Sequence, residues 1–414
     1  MKLTLIYNLI SIPLRRRSSR NIVLSQHSRL AFFRLCGLAT LTPRSPLMAM
    51  SLATEKRLRD PILLLNSVYG PIHNPEFPRP MPPNEAGVCA DGKQRRYLWT
   101  DAFGVLAYLS IADDYERESN FQEAKEYRQA ANVLIDVVHS CLGSPRSEKD
   151  EDAMLIDASS PTGFVGLRIG KVHSKERTDY GMNYDGMYFH YIDKWLLALA
   201  RSGRVEDAIK IAKSCFPFFF DPGPEKNGKL GGVRWKLSVN ASPVMLSTNG
   251  ANDDTLNAYI IFTILEEYRK SEEMPSLKEE IEMLKISLRG YKLHVSSYDP
   301  LGWGLELMYD QFIEGQPRLY ALASTYPSVM DKSHLSLPFR LYGALIGARI
   351  AGRAIVPSEK VDALIQLSKA HEFAFMSKNA EEEHSSINRV MLAMCMLCPG
   401  NLGRRSSDPF VSLP

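Results

Sequence analysis

Four short stretches of this chain hold residue types whose spacing could do chemistry. Arg95-Arg96-Tyr97-Leu98-Trp99-Thr100-Asp101 sets cations, rings and a carboxylate ahead of an apolar run. Asn183-Tyr184-Asp185-Gly186 leads into Met187-Tyr188-Phe189-His190-Tyr191. Gly231 to Val239 carries Arg234, Trp235 and Lys236, and Asn249 to Thr255 carries the adjacent pair Asp253 and Asp254. Neighbouring carboxylates repel, so one tends to keep its proton, which suits a general acid. Cleaving a glycosidic bond needs such a pair: one carboxyl protonates the leaving oxygen and the other activates water, about 6.5–9.5 Å away in inverting enzymes. The expected pair is Asp185 with Asp253 or Asp254, and Asp185→Asn is expected to leave the fold intact and remove activity. Trp99, Asp101, Tyr184, His190, Arg234, Trp235, Lys236 and Trp303 are the expected substrate-binding residues, because ring faces stack on sugars and polar groups bond their hydroxyls. Each has a plainer meaning: an Asp often caps a helix, and a histidine on a buried helix is often a core residue.

The elements that must position these residues are helices of two kinds. Some are amphipathic: Leu277, Ile281, Leu284 and Leu288 fall on one face, opposite Lys278, Glu279, Glu282 and Lys285. Ser276 and Glu279 form a capping box before that helix. Stretches 121–138, 204–216 and 358–369 read alike. Others are apolar nearly all round: 102–112, 187–200, 255–265, 335–350 and 387–397. A helix without a wet face must be enclosed by other elements. The alternation predicts an all-α fold, an (α/α)6 toroid of helical hairpins with a short β-hairpin insert at 231–239, where apolar and polar residues alternate. An open repeat solenoid is disfavoured, because the spacing between inner helices keeps no period. Inner helices are expected to start near 98, 185, 251, 302, 335 and 386, with their entrance residues converging on one funnel.

The organisation expected is a leader over 1–50, a Pro-rich entry arm over 51–97 unable to hold a long helix, the six-hairpin domain over 98–400 and a loop-like tail over 401–414. The first fifty residues hold one Lys, seven Arg and no acid, which reads as a mitochondrial or plastid transit peptide or an upstream extension. The remainder has 42 basic and 47 acidic residues, a balance that disfavours nucleic acid as a partner. No apolar run is long enough to span a bilayer. Six scattered cysteines argue against a disulfide framework; Cys395 and Cys398 read as packed thiols, and reduced cysteines are expected throughout. No His/Asp cluster has metal-ligand spacing, so no metal and no cofactor are expected. Motifs for nucleotide hydrolysis, zinc proteolysis and α/β-hydrolase chemistry are missing.

The strings R-R-Y-L-W-T-D-A-F (95–103), G-L-R-I-G-K (166–171), Y-D-G-M-Y-F-H-Y-I-D-K-W (184–195), V-R-W-K-L-S-V (233–239) and N-D-D-T-L (252–256) resemble the six-hairpin glycosidase superfamily. The resemblance implies the toroid and a carbohydrate or oligosaccharide substrate. That superfamily includes epimerases working through histidines and unsaturated-uronyl hydrolases working through aspartates. Three functions therefore stand: an aspartate-pair hydrolase, a sugar epimerase or isomerase using His190 with His334 or His384, and a non-catalytic helical scaffold.

Overall fold

The structure, a computed structural model, describes residues 46–146, 154–174, 184–223, 231–244, 253–289, 299–318, 337–352 and 384–414, with single positions between them. Most of the leader lies outside the described residues, as do Asn183, Asn252, His334 and nearly all of the amphipathic stretch 358–369. Ten α-helices are described: α1 (Pro46–Tyr69), α2 (Leu98–Arg117), α3 (Phe121–Leu142), α4 (Phe189–Ser202), α5 (Val205–Phe219), α6 (Asp254–Glu267), α7 (Lys278–Leu288), α8 (Pro300–Asp310), α9 (Pro338–Ala351) and α10 (Ser385–Leu397). The expected all-α toroid is the architecture observed. Helix α2 packs on α4, α4 on α6, α8 on α9, α9 on α10, and α10 closes back on α2. Between α6 and α8 the link is Arg318, which bonds Asp310 at 3.1 Å and Asp253 at 3.4 Å. The amphipathic helices lie outside this ring: α3 against α2, α5 against α4 and α6, and α7 against α6.

Burial follows the sequence pattern closely. In α2 every residue from Leu98 to Ala112 is buried, whereas α7 buries Glu280, Ile281, Leu284, Ser287 and Leu288 and leaves its charged side wet. The capping box before α7 is replaced by a longer reach: Glu266 of α6 accepts from the Ser276 hydroxyl and the Leu277 amide. That ties an outer helix to its inner partner. At the end of α4 the chain reverses through Gly203, whose φ of +86° suits glycine.

Three expectations are corrected. Residues 51–69 continue a helix of 24 residues despite Pro61. An interior proline costs roughly 3 kcal/mol, but Leu58, Leu64, Leu65, Val68 and Tyr69 are buried, and α1 packs against α10 and α2. Burying four or five large side chains at about 1.5–3 kcal/mol each outweighs it. The non-helical arm is thus 70–97 alone. Secondly, 231–239 is no hairpin. Its strands β3 (Gly232–Val233) and β4 (Lys236–Leu237) pair with β2 (Phe220–Asp221) and β1 (Met187–Tyr188) respectively, both antiparallel. The segment thereby pins the end of α5 to the start of α4. Thirdly, Cys89 and Cys141 form a disulfide that joins the arm to the end of α3; Cys395 and Cys398 are free, as expected. The tail over 401–414 is irregular and anchored: Asp408 accepts two 2.6 Å bonds from Arg201 of α4, both side chains fully buried.

Helices α8 and α9 cross closely, with glycines facing one another. A β-carbon on Gly304 would run into the Gly343 carbonyl, and one on Gly347 into the Gly304 backbone. Both obstacles are main chain and cannot rotate away. Gly304→Ala should therefore cost about 3 kcal/mol, the upper range for overpacking, read as a lower urea midpoint at unchanged slope. His139 of α3 provides a second handle. It accepts a 3.1 Å bond from the Trp195 indole of α4, and burial pushes its imidazole from 6.5 down to about 4. The unfolded chain then binds a proton that the fold refuses, so this group's contribution is lost as pH falls from about 6.5 towards 4. His139→Gln keeps an acceptor without the titration. Its urea midpoint should fall less between pH 7 and pH 4.5 than that of the parent protein.

Candidate active site

A cavity of about 340 Å3 opens where the inner helices begin. Its wall takes the first-turn residues Trp99 and Thr100 of α2, His190 and Tyr191 of α4, Leu301 and Gly302 of α8, Phe339 and Arg340 of α9, and Ile387 of α10. The arm contributes Met81, Asn84 and Glu85; Tyr97 and Lys171 complete one side, and Asp299 and His384 stand at the caps of α8 and α10. Five of the six expected helix starts share this cavity, and that of α6 does not. Only some of the expected residues reach it.

Trp99 and His190 line it. Trp99 is 3% exposed, and its indole N–H has no acceptor. Its ring lies 5.2 Å from Tyr191 and 6.2 Å from His190. Tyr97 and Tyr191 are joined through their hydroxyls, and burial raises both phenols, Tyr97 to about 12. His190 Nδ1 is buried without a partner. Burial, reinforced by Lys194 and Lys236, lowers its imidazole from 6.5 to about 3. It is therefore neutral at physiological pH, with one ring nitrogen carrying a proton. His384 has φ +68° at the cap of α10, with its ring 6.0 Å from that of Phe339.

The three expected acid/base aspartates lie outside the cavity wall. Asp185 is 1% exposed and saturated. It accepts from Arg146 at 2.9 Å, Arg168 at 3.0 Å and the amides of Gly170 at 2.8 Å, Lys171 at 3.2 Å and Gly186 at 3.2 Å. A carboxylate so occupied has no free oxygen for a substrate proton; it fixes three loops around one point. Asp253 answers Arg318. Asp254 is buried with both oxygens unpartnered, and burial, then Asp193, raises its carboxyl well above the usual range. It belongs to a buried group with Asp193, Lys194 and Tyr309, in which Lys194 bonds Asp193 at 2.9 Å and sits 4.6 Å over the Tyr309 ring.

The other expected contacts are also structural. Asp101 is fully buried beside Arg96 at 3.6 Å, and burial lifts its carboxyl to about 6. Lys236 bonds the Tyr184 carbonyl at 3.2 Å and lies over the Tyr184 ring. Trp235 packs on Tyr188 at 5.2 Å, Arg234 pairs with Asp221 at 3.0 Å, and Trp303 is wholly enclosed. The reading missed Glu85, Asp299 and Arg340. Asp299-Pro300 carried a usable signal, a helix cap followed by proline at the first helical position, and Asp299 does accept from the Leu301 and Gly302 amides. Among the described residues no group of three or more His, Cys, Asp or Glu could hold a metal ion, and no helix is long and apolar enough to cross a membrane.

No family model and no curated protein matches the sequence. Among solved structures, the crystal structure of a sugar epimerase from a ruminal bacterium is similar, with a TM-score of 0.42 and 11% identity over 84% of this chain and 98% of that one.

The role of Asp185 reverses what the sequence suggested for its variant. Asp185→Asn leaves the buried Arg168 guanidinium and the partly buried one of Arg146 facing a neutral amide, and breaking a buried pair costs about 3–5 kcal/mol. The expected result is a lower thermal midpoint. A variant of unchanged stability that had lost only activity would return Asp185 to the chemistry.

Proposed function

We propose that this protein is a carbohydrate-processing enzyme of the six-hairpin kind, and that its reaction is epimerisation or isomerisation of a sugar through His190 and His384. The observation that carries this is that both histidines line one cavity while Asp185, Asp253 and Asp254 do not. The wall around them offers rings of Tyr97, Trp99, Tyr191 and Phe339 to the C–H faces of a sugar, with Asn84, Thr100 and the unpaired Trp99 indole for its hydroxyls.

The chemistry is proton transfer beside a carbonyl. In the open-chain sugar the C–H next to the carbonyl is acidic enough for a histidine base. The carbon–hydrogen pair of electrons moves into the carbon skeleton as the carbonyl oxygen gains a proton, giving an enediol. Return of a proton to the same carbon from the other histidine inverts it; return to the neighbouring carbon isomerises the sugar. Nothing is oxidised overall. The two imidazoles come from separate helix starts, α4 and α10, and share one cavity; inversion needs them to address different faces of one bound carbon.

Turnover in D2O tests this directly. The protein should wash deuterium into the carbon next to the carbonyl of an aldose, seen as loss of its proton NMR signal. His190→Asn and His384→Asn should each slow that exchange by about 10²- to 10⁴-fold, the usual worth of a general acid or base. Release of the aryl group from an aryl glycoside, without any exchange, would restore the hydrolase reading and discard this one.

A further inference from the structure

We propose that the sugar taken by this cavity bears an anionic group, a carboxylate or a phosphate ester, gripped by Lys171 and Arg340. The proposal rests on the sugar-binding reading above and names the substrate class of the same site. Its starting point is the unequal engagement of the charges on the cavity wall.

Four charged side chains line the cavity: Glu85, Lys171, Asp299 and Arg340. The two acids are committed to the protein. Glu85 accepts from the Ser386 amide at 3.1 Å, in the first turn of α10. Asp299 caps α8 through two amides and takes a 3.0 Å ion pair from Arg340. The cations are not committed to the same degree. The Lys171 ammonium faces the Tyr97 ring at 5.3 Å, and no carboxylate of the described residues pairs with it. Arg340 spends one terminal nitrogen on Asp299 while its buried Nε–H has no acceptor. A guanidinium with a spare donor and an ammonium with no carboxylate partner among the described residues, on the wall of one cavity, suit an oxyanion.

The backbone adds to this. First turns of α2, α4, α8, α9 and α10 all face the cavity, and a helix N-terminus carries roughly half a positive charge. Glu85 and Asp299 offset two of these ends and Asp101 a third, leaving those of α4 and α9 with no acid in their first turns. The 97%-buried Trp99 adds one more donor, its N–H without an acceptor in the same wall. A neutral sugar would leave Lys171 and the Arg340 Nε–H without an anion in a partly enclosed space, a cost an anionic substituent removes.

Calorimetry on the full chain with glucose, glucuronate and glucose 6-phosphate reads the proposal. At least one anionic sugar should bind about tenfold or more tighter than glucose, equivalent to about 1.4 kcal/mol. Whether glucuronate or glucose 6-phosphate shows the gain assigns the group as carboxylate or phosphate. Lys171→Met should bring the ratio close to one, and Lys171→Arg should keep it; circular dichroism checks that both are folded. Glucose binding as tightly as both anionic sugars would overturn the proposal, as would a preference that survives in folded Lys171→Met. Inorganic phosphate serves as a further ligand. If it binds, loses affinity in Lys171→Met, and no sugar binds at all, the sugar reading falls and the oxyanion grip stands. If neither phosphate nor any sugar binds, both fall.

Discussion

A helix begins with amides that have no partner inside it, and this protein turns five such beginnings towards a single space. Everything at the site follows from meeting or sparing those donors. Glu85 and Asp299 answer the starts of α10 and α8. Asp101 accepts from the Tyr97 amide at the start of α2. The ring that brings the starts together is held by glycine against glycine between α8 and α9 and by Arg318 between Asp253 and Asp310, and the indole of Trp195 on His139 ties it to the outer α3. Side chains that look available for reaction in the sequence are thus divided between those that build the ring and those that line its mouth.

That division explains what could be read in advance. The ring itself was legible because burial on all sides leaves a plain mark: α2 and α6 have no polar face, and α7 has one. Inner helices were expected near 98, 185, 251, 302, 335 and 386 and begin at 98, 189, 254, 300, 338 and 385. The convergence of Trp99, His190 and His384 followed from placing those starts at one end. What escaped was the partner of each carboxylate. Asp185 draws Arg146 from beyond α3 and Arg168 from the loop before it, contacts no local spacing announces. Asp185 and Asp254 are both buried acids, yet one is saturated with donors and the other has none, and sequence cannot tell them apart.

The proline-rich opening shows the same limit from another side. Local propensity argued against helix at Pro61, and tertiary burial of Leu58, Leu64 and Leu65 overrode it. Beyond Tyr69 propensity prevailed, and residues 70–97 run irregularly to the cavity, where Met81, Asn84 and Glu85 join the wall. The strand-like alternation at 231–239 was real in pattern but not in pairing: each half found an older neighbour in the chain instead of its own twin.

The cross-link between Cys89 and Cys141 sits four residues from Glu85. It also lies on the chain that leads, through the Cys141 carbonyl, to Arg168 and so to Asp185. One wall of the cavity is therefore stapled to the scaffold by a bond that thiols can open. Protein prepared in a reducing cytosol and protein refolded in air are then two different reagents, alike in their helices and unlike in how firmly that wall is held, and affinities compared between them need the oxidation state stated alongside.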